Sequence, residues 1–91
     1  MIYFRRVVGD SMYPAYNDGQ LVVVSHFKKP AKGSTVIAVQ NGKEVMKRVE
    51  SIDSNQMVEL RGDNTEHSTD SRKYGKIPKR HILGVVIWPN N

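Results

Sequence analysis

Two short segments carry residue types that can act together on a carbonyl. In GDSMYP (Gly9 to Pro14), Ser11 sits between an aspartate and a methionine; in VMKRV (Val45 to Val49), Lys47 sits among apolar neighbours. A serine hydroxyl is a weak nucleophile until a neighbouring base takes its proton, and a lysine amine can be that base without any histidine. The amine must be neutral to serve. Residues alternate in a strand, so Val45, Lys47 and Val49 share one face and Met46 and Arg48 the other, which aims Lys47 toward an apolar core. Desolvation there lowers the pKa of an ammonium and favours the free amine. Each segment also has a plain structural account. GDSMYP has the composition of a turn, with Gly for positive φ and Pro for a pre-set φ, and a lysine between valines on an edge strand can snorkel to water.

A third segment, GDNTEHSTDSRKYG (Gly62 to Gly75), is polar throughout. It reads either as a solvated loop of Asx and Ser/Thr turns or as a loop in which Asp70 and Arg72 pair while a serine hydroxyl orients a lysine. His67 with Asp63, Glu66 and Asp70 has the composition of a metal cluster, but hydrogen bonding within a turn-rich loop explains the same residues. His26, His67 and His81 fall in no nucleophile, base and orienter arrangement and read as polar surface or loop residues.

The elements that must position these residues are strands. Short β-branched runs bounded by turn residues predict them near Ile2 to Val8, Gln20 to Ser25, Thr35 to Gln40, Lys43 to Ile52, Gln56 to Arg61 and Ile82 to Trp88. Asn41-Gly42 is a hairpin signal, since both central residues of a type I′ turn need positive φ. Asp53-Ser54-Asn55 predicts a second tight connection, giving a three-stranded meander from Thr35 to Arg61. Gly62 to Arg80 remains as a long connection with almost no apolar residues. Tracts of that kind within a small domain are uncommon unless functional. The class expected is all-β and antiparallel, with little helix.

At 91 residues the chain has room for one domain, residues 1 to 91. With no cysteine, disulfides and thiolate chemistry are excluded. The apolar runs LVVV and GVVIW are far shorter than the roughly 20 residues that span a bilayer. YFRRVV lacks the apolar core of a signal peptide. The expected location is therefore cytoplasmic for a complete chain, or membrane-associated and extracytoplasmic for a piece cut from its anchor. The net charge of +5 concentrates in FKKPAK (Lys28, Lys29, Lys32) and in SRKYGKIPKRH (Arg72, Lys73, Lys76, Lys79, Arg80). These tracts suit an anionic surface, and Tyr13 and Tyr16 as apolar tips could add a weak membrane contact. They also define a rival reading, a small basic β-barrel that binds nucleic acid. That rival gives no reason for SMYP and MKRV to occur together.

Taken in order, the three segments resemble the boxes of the type I signal peptidase family. GDSMYPAYNDGQLVVV is similar to the nucleophile box, VMKRV to the lysine box and GDNTEHSTDSRKYG to the last box, while ILGVVIWP resembles the strand that closes the catalytic core. LexA-type repressor proteases share the Ser-Lys dyad but not the G-D-N to D-S-R box, which sets the chain on the signal-peptidase side. The absence of an anchor segment makes it similar to short relatives such as nickel superoxide dismutase maturation proteases. The resemblance implies the signal peptidase/LexA-like β fold, with Ser11 as nucleophile and Lys47 as general base. It implies Ser68 orienting the lysine, an Asp70 and Arg72 brace, and oxyanion and substrate contacts from Gly9, Asp10, Met12 and Pro14. Some relatives place a serine hydroxyl where this chain has Gly9, so one oxyanion donor has no counterpart. The implied activity is removal of an N-terminal leader after small residues, with no cofactor and no metal. The implied partner is a preprotein or peptide. A catalytically silent leader-binding relative is a further alternative, disfavoured because both Ser11 and Lys47 are present.

Overall fold

Seven strands form in the computed structural model, which describes residues 1–64 and 75–89. They are β1 (Ile2–Arg6), β2 (Leu21–Ser25), β3 (Thr35–Gln40), β4 (Lys43–Ile52), β5 (Met57–Arg61), β6 (Ile77–Pro78) and β7 (Ile82–Trp88). The protein is all-β. One antiparallel sheet takes the order β1-β2-β7-β3-β4-β5-β6, and one 3₁₀ turn (Lys79–His81) is the helical content of the described residues.

The turn chemistry explains the meander. Asn41 and Gly42 both take positive φ, 53° and 75°, and join β3 to β4 with Gln40 opposite Lys43. At the next corner the Asp53 side chain accepts the N–H groups of Asn55 and Met57, which shapes the connection to β5. Those hydrogen bonds, that to Met57 first, hold the Asp53 carboxyl below its ordinary range. β2 and β5 each start one residue later than the sequence expectation, at Leu21 and Met57, and two larger differences stand out. The first strand ends at Arg6 rather than Val8, because Val7 turns into the core and exchanges hydrogen bonds with Gln20 and Gly19. The long connection after Gly62 is not structureless throughout: Ile77 pairs with Val58 and is buried, and the 3₁₀ turn follows directly.

The last strand lies in the middle of the sheet. β7 pairs with β2 on one side and with β3 on the other. Its alternate residues serve two cores. Val86 and, from β3, Ile37 pack with Val7, Met12, Tyr16, Val22 and Val24 on one side. Val85, with Val36 and Ala38, packs against Val49, Val58, Leu60 and Ile77 on the other. Complete burial of a valine of this kind stabilises by about 1.5–3 kcal/mol relative to exposure. Gly84 keeps the centre of the sheet closed, since a Cβ there would come within 2.6 Å of the Val24 side chain.

Candidate active site

Ser11 sits on the connection between β1 and β2, in a turn tied by its own backbone. The Tyr13 N–H donates to the Asp10 carbonyl (3.1 Å) and the Tyr16 N–H to the Met12 carbonyl (2.9 Å). Gly9 enters the turn at φ 82°, the positive value a glycine tolerates, and its N–H donates to the Asp18 carboxylate (2.8 Å). Met12 and Tyr16 anchor the turn in the first core, while Asp10, Tyr13 and Pro14 are exposed and Ser11 is half-buried between them. The turn composition of GDSMYP thus has a structural counterpart. Tyr16, expected as an exposed tip, is instead 1% exposed and donates its hydroxyl proton to the Pro89 carbonyl. It cannot contact a membrane surface from there.

Lys47 lies on β4, directly opposite Val36 and on the face of Val49. Snorkelling is excluded, because the residue is only 4% exposed. β5 pairs with β4 from Arg48 onward, so the outer edge of Lys43 to Lys47 has no strand beside it among the described residues. A cleft of about 220 Å³ borders that half of the strand. Both Ser11 and Lys47 line it, with Met12, Ile37, Val45 and Met46 making an apolar wall. The Ser11 turn and β4 are thus brought to one concavity. The far end carries an ion pair between Arg5 and Glu44 (3.1 Å), with the Arg5 guanidinium stacked 4.7 Å from the centre of the Tyr3 ring. Burial pushes the Tyr3 phenol above its usual value, against the opposing pull of Arg5.

Two contacts tie the start of the third segment to the other two. Arg48, the residue after Lys47, forms a two-pronged bond to Asp63, with Nε to Oδ1 and Nη2 to Oδ2 both 2.8 Å. It also donates to the Gly33 carbonyl. The Asp63 hydrogen bond raises the guanidinium pKa further, against the desolvation that lowers it. Next along the chain, the Asn64 N–H donates to the Ser11 carbonyl (2.8 Å). The sequence did not single out Arg48 and Asp63 as a pair, although each adjoins a residue of interest. Ser68, Asp70 and Arg72, together with Glu66 and His67, lie outside the described residues. Among the described residues no group of His, Asp and Glu has a metal-holding arrangement, and no helix is long and apolar enough to cross a membrane. His26 and His81 are exposed, and a His26 ring nitrogen lies 3.0 Å from the Leu83 carbonyl.

An all-β sheet that brings a turn-borne serine and a buried strand lysine to one cleft is the architecture of a serine peptidase-like domain. The chain belongs to the Peptidase S24-like family, which it matches over residues 1–87, a span that includes both Ser11 and Lys47. No curated protein matches it.

Proposed function

We propose that the protein is a serine endopeptidase of the signal peptidase I type, removing an N-terminal leader after small residues by a Ser11–Lys47 dyad. The observation that carries this reading is the shared cleft: Ser11 and Lys47 line one concavity, and the lysine is buried in apolar surroundings. Burial disfavours the ammonium, which suits Lys47 to hold a free electron pair near neutral pH.

An extended substrate lies along the outer edge of Lys43 to Met46, which β5 does not cover, with main-chain hydrogen bonds for affinity and alternate side chains in the apolar wall. Lys47 Nζ takes the Ser11 proton as Oγ attacks the scissile carbonyl. The Ser11 backbone N–H stabilises the oxyanion, helped by Gly9, whose missing side chain leaves the approach open. The ammonium then protonates the leaving amine, and the regenerated amine activates water to release the acyl group. Asp10 and Pro14 frame the exposed side of the turn, and Met12 sits beneath the residue before the cut. By resemblance, Ser68 orients the Lys47 amine and Asp70 with Arg72 braces that segment. The Arg48–Asp63 fork ties the start of the third segment to β4.

The test uses leader-bearing peptides with alanine or glycine before the cut, incubated with the parent protein, Ser11→Ala and Lys47→Ala. Cleavage is expected from the parent alone; cleavage that survives both substitutions overturns the dyad.

A further inference from the structure

A second concavity, of about 270 Å³, opens behind the Ser11 turn and is unrelated to the dyad. Lys28, Lys32, Ser34 and Thr35 border it, and the Tyr16 ring closes one side. The lining is donor-rich. Two lysines border the space, no acidic residue does among the described residues, and neither lysine has an ion pair among them. The Ser34 hydroxyl accepts the Ala31 N–H (3.0 Å) and keeps its own proton to donate.

Thr35 supplies an independent sign. The residue is 4% exposed, and its hydroxyl is buried without any hydrogen-bond partner. Most buried hydroxyls in native proteins have a partner, and an unpartnered one costs stability. A ligand acceptor in the cavity would remove that cost. The backbone that carries the lysines is also fixed in advance. The Ser25 hydroxyl accepts the N–H groups of Phe27 and Lys28, the Ser34 N–H donates to Ala31, and Gly33 and Ser34 exchange hydrogen bonds with Val49. A site held in this way loses little backbone entropy when it is filled.

We infer that Lys28, Lys32, Ser34 and Thr35 form an anion site that takes a phosphate group. The charge of FKKPAK thereby acquires a specific use, since two of its lysines and two hydroxyl-bearing residues border one small volume. A tetrahedral oxyanion accepts from all four at once, whereas a chloride ion offers no comparable spread of acceptors.

The experiment titrates the full chain with sodium phosphate against sodium chloride at matched ionic strength, followed by amide and side-chain NMR shifts and by the thermal midpoint. Saturable shifts at Lys28, Ser34 and Thr35 with phosphate alone are expected. Lys28→Gln with Lys32→Gln should weaken phosphate binding about tenfold or more. Thr35→Val is the decisive variant. It removes an unpartnered hydroxyl at nearly constant shape, so the ligand-free midpoint should hold or rise while phosphate affinity falls several-fold. A purely structural threonine would give no change in affinity and would overturn the site. Vesicles containing phosphatidylglycerol form a second arm. Vesicle binding that phosphate competes away, and that Thr35→Val weakens, identifies a lipid headgroup as the source. Phosphate saturation without vesicle binding identifies a free phosphate. Identical responses to phosphate and chloride, or binding of a DNA duplex that needs the lysines but is indifferent to Thr35, overturn the proposal.

Discussion

The segment that holds Ser11 and the strand that holds Lys47 are built in opposite ways. The serine turn is a loop at the edge-strand end of the sheet, fixed by short-range hydrogen bonds within residues 7–20 and by two buried anchors, Met12 and Tyr16. The lysine strand is set deep in the sheet, laddered to β3 along its first half and to β5 along its second. The difference suits the roles proposed for the two groups. A nucleophile has to meet an incoming carbonyl and so needs an open approach, whereas an amine that is to stay unprotonated needs exclusion from water. Neither environment could serve the other residue. Where the two meet, β5 covers the outer edge of the second half of β4, no described strand covers that edge of the first half, and the cleft occupies the change-over.

The largest test of this contrast removes one reacting group at a time. Ser11→Ala and Lys47→Met should each lower cleavage by about a thousandfold or more, yet their stabilities should diverge. Ser11→Ala is expected to leave the thermal midpoint nearly unchanged. Lys47→Met replaces a buried amine by an apolar chain of similar length and should hold or raise it. Peptide cleavage assays beside thermal melts check both; a large loss of stability in Lys47→Met would show that the lysine is structural.

Met12 tests the anchoring of the turn. Met12→Ala should cost about 2–5 kcal/mol of stability and also slow cleavage, because the residue both fills the first core and lines the cleft. Val58→Ala, in the second core and away from the cleft, should lower the denaturation midpoint while sparing activity measured well below that midpoint. Equal activity losses from the two would mean that the cores are not functionally distinct.

The Arg48–Asp63 fork joins the two environments, so Arg48→Lys sharpens the comparison at a smaller scale. The charge survives but the fork does not, and about 1–2 kcal/mol of stability should be lost. Because Asn64 next to Asp63 holds the Ser11 carbonyl, a drop in kcat larger than Val58→Ala causes is also expected. The smallest effect belongs to Asp53. Its carboxyl is held below the ordinary value of 3.8, so its contribution is complete above that pH and is lost as pH falls through the depressed value. Asp53→Asn should therefore differ from the parent in neutral solution and converge with it in acid, as pH-dependent denaturation would show.

Much of the scaffold was legible because its signals are local. The alternation in VMKRV, the β-branched run LVVV and the Asn41-Gly42 turn each act within a few residues, and each strand they imply is present. The strand at Ile77 was not legible, since two residues leave no periodicity and Pro78 argues against a strand, yet pairing with Met57 and Val58 makes one at the sheet edge. Tyr16 read as exposed for a similar reason. A tyrosine in a segment rich in Asn, Asp and Gly has the composition of a surface loop, and only the folding of that loop onto Val22 and Val24 buries it. In the candidate site, the types of Ser11 and Lys47 were informative because few residue types can perform their chemistry. The Arg48–Asp63 link was silent, because an ion pair across fifteen positions has no sequence period.

The central position of β7 sets when the molecule can become whole. In the sheet order, β1-β2 and β3-β4-β5 have no ladder to one another except through Ile82 to Trp88. The serine half and the lysine half also touch directly, through the Arg5–Glu44 ion pair, the Asn64 N–H to the Ser11 carbonyl and the packing of Ile37 on Val22 and Val24. Without Ile82 to Trp88 those contacts would have no continuous sheet behind them, so this one strand decides whether the Ser11 turn and β4 belong to a single scaffold.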